Sequence, residues 1–198
     1  VLLRRLIEYL SSTAYKGIHN EWFVPEGPVE GRHRWRGYSD ADLAGCPLTV
    51  KSRTGAILFL EREEISGKVY EWVIDWSCKL QQTVANSTPQ SEMNALAYLV
   101  LRQVLPAALI MEDITGCQAQ VVCEVDNAAI ISVVAKGYSV QMRYLPRQIK
   151  IYIAMMHEFF GAMDAQLRYC ESGQNAADGF TKSLKAHFQA WSARIHIF

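Results

Sequence analysis

The chain has no excess of either charge. Its 20 Lys+Arg are matched by 20 Asp+Glu over 198 residues, which argues against a protein that coats nucleic acid by bulk electrostatics. The balance leaves room for an enzyme whose acidic site offsets a basic substrate track. Runs of like charge and low-complexity tracts are missing too. Half of the residues are hydrophobic, so an ordered chain is expected, one domain with an appendage.

Paired cysteine motifs are absent. The five cysteines (Cys46, Cys78, Cys117, Cys123 and Cys170) are odd in number and form no C-x-x-C. Neither a disulfide framework nor a structural zinc is expected; reduced thiols and a cytosolic setting are. Cys78, Cys123 and Cys170 lie in apolar, strand-like runs and should be buried as small hydrophobes. No uninterrupted apolar run of about 18 residues, signal-peptide pattern or initiator Met occurs, so no membrane span is expected. Val1-Leu2-Leu3-Arg4-Arg5 reads as a piece of something longer. There is no Ser/His/Asp arrangement and no Gly-rich phosphate loop. His19, His33, His157, His187 and His196 lack ligand spacing and read as surface or packing residues.

What is present alternates in period. Leu2, Leu3, Leu6, Ile7 and Leu10 fall at helical spacing, and a polar connector follows from about Asn20 to Arg32. Strands are expected at 35–41, 54–61 and 69–79, with a turn-rich link over 42–53. Thr88 can cap a helix with Pro89 at its first position, and Pro106 should kink or break that helix. A strand over 118–125, helices over 128–135 and 144–160, a strand over 165–169 and a helical C-terminus from Ala176 complete the order. Three leading strands suggest an antiparallel meander and the later two parallel pairing: an α/β fold with a mixed five-stranded sheet and helices on both faces. Trp72 and Trp76 alternate with polar partners and should pack in the core.

Four acids stand apart from turns and helix surfaces. Asp40 lies inside the first strand, Glu92 in the first turn of a helix, Asp126 at the end of the fourth strand, and Asp178 in the first turn of the last helix. Taken singly, such residues are ordinarily turn formers or caps. Strand ends and helix starts at one sheet edge can nevertheless converge on one crevice. Carboxylates gathered there repel one another and are driven toward protonation unless cations intervene. Oxygen-liganded Mg2+ relieves that repulsion. A pair of ions about 3.5–4 Å apart suits in-line phosphodiester displacement.

At these residues the sequence resembles the ribonuclease H domain of copia-type LTR retrotransposon Pol polyproteins. Six stretches carry the likeness in order. Gly37-Tyr38-Ser39-Asp40-Ala41-Asp42-Leu43-Ala44-Gly45-Cys46-Pro47 is similar to G-Y-S-D-A-D-W-A-G-C-P, and Ser52-Arg53-Thr54-Gly55 continues it. Trp76-Ser77-Cys78-Lys79 through Val84 resembles W-S-S-K-K-Q-P-T-V. Ser87 to Leu96 is similar to S-S-x-E-A-E-Y-x-A-L, Asp126-Asn127 to D-N, and Asn175 through Leu184 to N-x-A-D-x-x-T-K-P-L. The departures are Leu43 for Trp, Met93 for Tyr, Ser183 for Pro, and Arg147-Gln148-Ile149-Lys150 where the family has K-H-I-D. No His stands between Glu171 and Asn175, where many cellular ribonucleases H carry one.

The resemblance implies a ribonuclease H-like fold at 33–198, with 1–32 a remnant of the reverse transcriptase connection. It implies that Asp40, Glu92, Asp126 and Asp178 are catalytic and hold two Mg2+ ions, with Mn2+ as the alternative metal. Asp42 is passed over because the family's acid follows Tyr-Ser directly. The implied activity is hydrolysis of the RNA strand of RNA/DNA hybrids during reverse transcription. Its partners would be the hybrid and the reverse transcriptase domain of the same polyprotein, in the cytoplasm within a virus-like particle. Ser87, Thr88, Gln90 and Asn127 flank the acids as candidate readers of 2′-hydroxyls; capping is the competing role for Ser87 and Thr88. Lys79, Lys182 and Arg53 are candidates for phosphates, with solvated surface charge the ordinary reading of each alone. Two other readings stay open. One is a decayed or domesticated module with a structural or interaction role, for which Leu43, Gln148 and Ser183 leave room. The other is a three-acid nuclease or integrase, against which Gly161 counts.

Overall fold

The structure is a computed structural model that describes residues 11, 32–140, 144–162, 164–182 and 188–195. The expected N-terminal helix and connector fall almost wholly outside these, as do His19, His187, His196 and Ser183.

Strands β1 (Arg32–Asp42), β2 (Arg53–Glu63) and β3 (Val69–Leu80) form an antiparallel meander. The β2–β3 turn closes at Gly67, whose φ of 81° suits a residue without a Cβ. Strands β4 (Gln120–Val125) and β5 (Ala165–Tyr169) add in parallel on the other side of β1, giving the order β3-β2-β1-β4-β5. This mixed five-stranded sheet is the ribonuclease H-like architecture expected from the sequence.

Helices cover both faces. On one, α1 (Thr88–Leu99) and α4 (Arg147–Ala162) bring Leu96, Leu99, Ile153 and Met156 down onto Trp35, Leu58, Val121 and Cys123. The close approach explains Gly37: a Cβ there would meet both methyls of Leu99 at 3.0 Å. The short α3 (Ala128–Lys136) ends at Gly137 in the left-handed conformation. On the other face, Tyr38, Ile57, Phe59 and Val73 lie under Ala176, Ala177 and Ile195. These come from the segment holding α5 (Asp178–Thr181) and α6 (Phe188–Arg194). An ion-pair ladder crosses the same face: Arg36 bridges Glu61 (2.9 Å) on β2 and Glu124 (2.7 Å) on β4. Pairing inside the fold is what permits Glu61 to be only 1% exposed.

Two expectations are corrected, for Trp76 and Cys78, and one is narrowed. Pro106 interrupts the regular helix without ending it. A π turn over Val100–Val104 precedes it, the Leu105 N–H reaching back to the Val100 carbonyl, and α2 (Leu105–Thr115) continues. Proline lacks the N–H of a regular turn, and the widened turn absorbs the mismatch. The continuous stretch Thr88–Thr115 is long and apolar enough to cross a membrane by length and composition, although its first half is core, with Met93, Leu96, Leu99 and Val100 buried. Trp76 is 52% exposed while Trp72 is buried: the β2–β3 register slips between Leu58 and Phe59, leaving Ile74 unopposed, and a bulge turns every later side chain over. Cys78 is consequently exposed, its thiol donating to the Phe180 carbonyl at 3.0 Å, whereas Cys123 and Cys170 are buried as expected. All five thiols are unpaired.

Gly55 ties this frame to what lies above it. It sits opposite Asp40 in the β1–β2 register, and a Cβ there would come within 2.8 Å of the Ala177 carbonyl oxygen. Gly55→Ala should cost about 1–3 kcal/mol, the usual range for an overpacked interior, read as a lower urea midpoint. An unchanged midpoint would mean that the 175–181 segment is not seated on β2 as described.

Candidate active site

Parallel pairing assembles the site. β1 and β4 run side by side with Tyr38 opposite Glu124, so two further residues place Asp40 and Asp126 next to each other at the carboxyl edge of the sheet. β5 ends beside them, the Cys170 N–H bonding to the Val125 carbonyl at 3.0 Å, and the chain then turns back across the edge. Buried Asn175 fixes that return. Its amide donates to the Ser39 carbonyl at 3.0 Å, and its Oδ1 accepts from the Ala177 N–H at 3.0 Å. Asp178 follows at the start of α5, and the Thr181 hydroxyl donates to Asp40.

Asp40, Asp126 and Asp178 each offer a carboxylate oxygen within 4.8 Å of the others. Asp40 is 2% exposed. Glu92 stands outside this triad but within its field: it is 8% exposed, and one of its oxygens, Oε2, is buried without a hydrogen-bond partner. Three converging carboxylates and a fourth with a spare oxygen form a hard, all-oxygen donor set, the kind that suits Mg2+ or Mn2+. Asp42 is engaged elsewhere, accepting from the Arg53 backbone N–H.

The flanking candidates divide. Ser87 occupies the N-cap of α1, one residue ahead of the expected Thr88, but its side chain makes no capping bond. Thr88 is exposed at the first helical position. Asn127 caps α3, its Oδ1 accepting from the Ala129 N–H at 2.9 Å, and its side chain is near enough to Glu92 to favour the charged carboxylate. Gln90 is a correction. It is 3% exposed and its Oε1 accepts from the Asn86 N–H at 3.1 Å, so it props the entry to α1 from inside.

Lys182 has a position that the sequence did not reveal. Read as solvated charge or a phosphate contact, it lies among the acids, its Nζ 2.7 Å from Asp178, 3.5 Å from Asp126 and 3.6 Å from Asp40. Its i,i+4 spacing from Asp178 was the available signal.

No family model matches the chain. A mitochondrial protein of Arabidopsis thaliana, AtMg00810, is 30% identical over 96 residues, covering 48% of this chain and 33% of that protein. The match therefore spans about a third of the relative's length. Among solved structures, the LC11 ribonuclease H1 isolated from compost is similar at 12% identity and a TM-score of 0.44, covering 75% of this chain and 91% of that one. The LC9 ribonuclease H1 gives 13%, 0.44, 87% and 88% in the same order. The prototype foamy virus protease–reverse transcriptase gives 10%, 0.42, 87% and 21%. By its own strand order, β3-β2-β1-β4-β5, the chain has the mixed five-stranded sheet of the expected ribonuclease H-like architecture, with an acidic triad at the carboxyl edge. Within that class its motifs resemble the ribonuclease H domain of copia-type Pol polyproteins.

The carboxylates are held against their own chemistry. Burial, with the nearby charges of Asp126 and Asp40, pushes Glu92 up to about 7 despite the opposing effect of Asn127. Burial and the charge of Asp40 push Asp178 up to about 6 despite the bond from Lys182. Between the unfolded and folded values the native state retains a proton that the unfolded chain has lost, so stability falls as pH rises across that interval. The metal-free protein should melt at progressively lower temperature from pH 5 to pH 7. Glu92→Gln should flatten the profile. A Tm that rises with pH over this window would contradict the electrostatics described.

Proposed function

We propose that this chain hydrolyses the RNA strand of RNA/DNA hybrids, as the ribonuclease H domain of a copia-type Pol polyprotein working beside its reverse transcriptase. The observation that carries this reading is the convergence of Asp40, Asp126 and Asp178 within 4.8 Å, with the unpartnered Glu92 oxygen alongside. Asp40, Glu92, Asp126 and Asp178 would hold two divalent ions, Mg2+ or Mn2+. When bound, such ions supply the counter-charge and Lewis acidity that phosphodiester hydrolysis requires.

The protein's own part is positional. Asn175 and Thr181 lock the 175–181 segment to β1, so that Asp40 and Asp178 keep their separation. Asn127 favours the charged form of Glu92 from the neighbouring strand end. Ser87 and Thr88, at the start of the helix that carries Glu92, and Asn127, next to Asp126, would offer hydroxyl and amide groups to 2′-hydroxyls across the wide minor groove of a hybrid. In this reading the work takes place in the cytoplasm within a virus-like particle, and residues 1–32 join the domain to the polymerase.

A second feature favours a nucleic-acid substrate. A groove of about 650 Å³ is lined by Lys79, Gln81, Tyr98, Arg102, Gln148 and Tyr152 among others, with no carboxylate in its walls among the described residues. Helix α1 connects it to the acids, carrying Glu92 to the edge and Asn94, Tyr98 and the nearby Arg102 to the groove. Zero net charge is compatible with that local surplus of cations.

The direct test is cleavage of a labelled RNA/DNA duplex with Mg2+. Wild type should cut only the RNA strand, and Asp40→Asn should lower the rate about a thousandfold. Intact substrate at all protein concentrations would favour the decayed or domesticated module instead, and cutting of duplex DNA the three-acid nuclease. Replacing both Lys79 and Arg102 with Ala should weaken hybrid binding and lower its salt slope by about one for each phosphate no longer neutralised. An unchanged slope would remove the groove from the substrate path.

A further inference from the structure

We infer that Lys182 is a built-in rival of the divalent ions: a tethered cation that sits among the acids in the metal-free protein and must leave before metal can bind. The inference rests on the reading that Asp40, Asp126 and Asp178 are metal ligands. Each of the three has an oxygen within 3.6 Å of the Lys182 ammonium. A lysine head is a compact point charge with three donors, and here it supplies counter-charge in the cleft where an ion would. A fourth contact, to the Ser172 Oγ at 3.0 Å, steadies it, and Ser172 in turn donates to Asp178 at 3.3 Å.

The geometry also allows departure. The Lys182 side chain is 41% exposed, whereas those of Asp40, Asp126 and Asp178 are 3%, 13% and 13% exposed. The acids are enclosed, and the cation is the partner that reaches solvent. A long flexible stem lets the head swing into water without moving the backbone. One positive charge against three carboxylates, with Glu92 beside them, leaves the cluster under-neutralised, so a divalent ion retains an advantage. Lys182 therefore lowers apparent metal affinity and stabilises the empty site.

The test is Mn2+ binding by the full chain, followed by calorimetric titration and by the loss of the free-ion paramagnetic resonance signal. Lys182→Met should bind Mn2+ about tenfold more tightly than wild type, since the local field, though partly screened by solvent, no longer includes a competing charge. Its metal-free form should melt lower than wild type, and saturating Mn2+ should close that gap. Lys182→Arg, which keeps the charge, should resemble wild type; Lys182→Gln serves in place of Met if the latter fails to fold. Equal or weaker binding by both uncharged variants overturns the inference while leaving the metal site standing. Absence of Mn2+ binding in every protein, wild type included, sinks the metal-site reading itself and the competition with it.

Discussion

Mutual repulsion among carboxylates is the constraint on which this structure turns. Asp40, Asp126 and Asp178 are brought within 4.8 Å of one another with Glu92 buried nearby, an arrangement that opposes folding at neutral pH. The fold tolerates it because the acids ride on elements anchored for other reasons. β1 and β4 are neighbours through their hydrogen bonds, and the Arg36 ladder to Glu61 and Glu124 reinforces the join. Asn175 and Gly55 let the return segment settle onto the same edge. Stability is given up locally in exchange for a concentrated negative site, a familiar relation between strain and function.

Much of this was legible in the sequence because it follows from short-range rules. Alternation and turn residues located all five strands, and the Pro89 signal located α1. The six motif stretches singled out Asp40 over Asp42, and the structure gives a physical reason for that choice. Asp42 stands at the last residue of β1, where it is used to bond the Arg53 backbone. The motifs marked Asp126 and Asp178 too, but their nearness to Asp40 is a property of the parallel register and of the Asn175 hydrogen bonds, which no spacing along the chain reveals.

Trp76, Cys78 and Lys182 were misread because each is decided by a non-local contact, whereas Pro106 and Gln90 turn on bonds to near neighbours in the chain. The bulge at Ile74 reversed Trp76 and Cys78 because register depends on the partner strand, not on the strand's own pattern. Pro106 was absorbed by a π turn upstream. Gln90 looked like a polar rim residue and is an inward prop for Asn86. Lys182 looked like a solvated cation and is drawn inward by acids contributed by three different elements. Periodicity reports which face a residue prefers; it does not report what waits on that face.

The central claim is that these acids form one metal-binding centre. Anomalous diffraction from crystals soaked in Mn2+ addresses it without reference to activity. The account predicts two strong peaks bounded by the carboxylates of Asp40, Glu92, Asp126 and Asp178, with the Lys182 ammonium moved away from all of them. Ordered Mn2+ elsewhere on the molecule, with the four acids unliganded and Lys182 still among them, would contradict it.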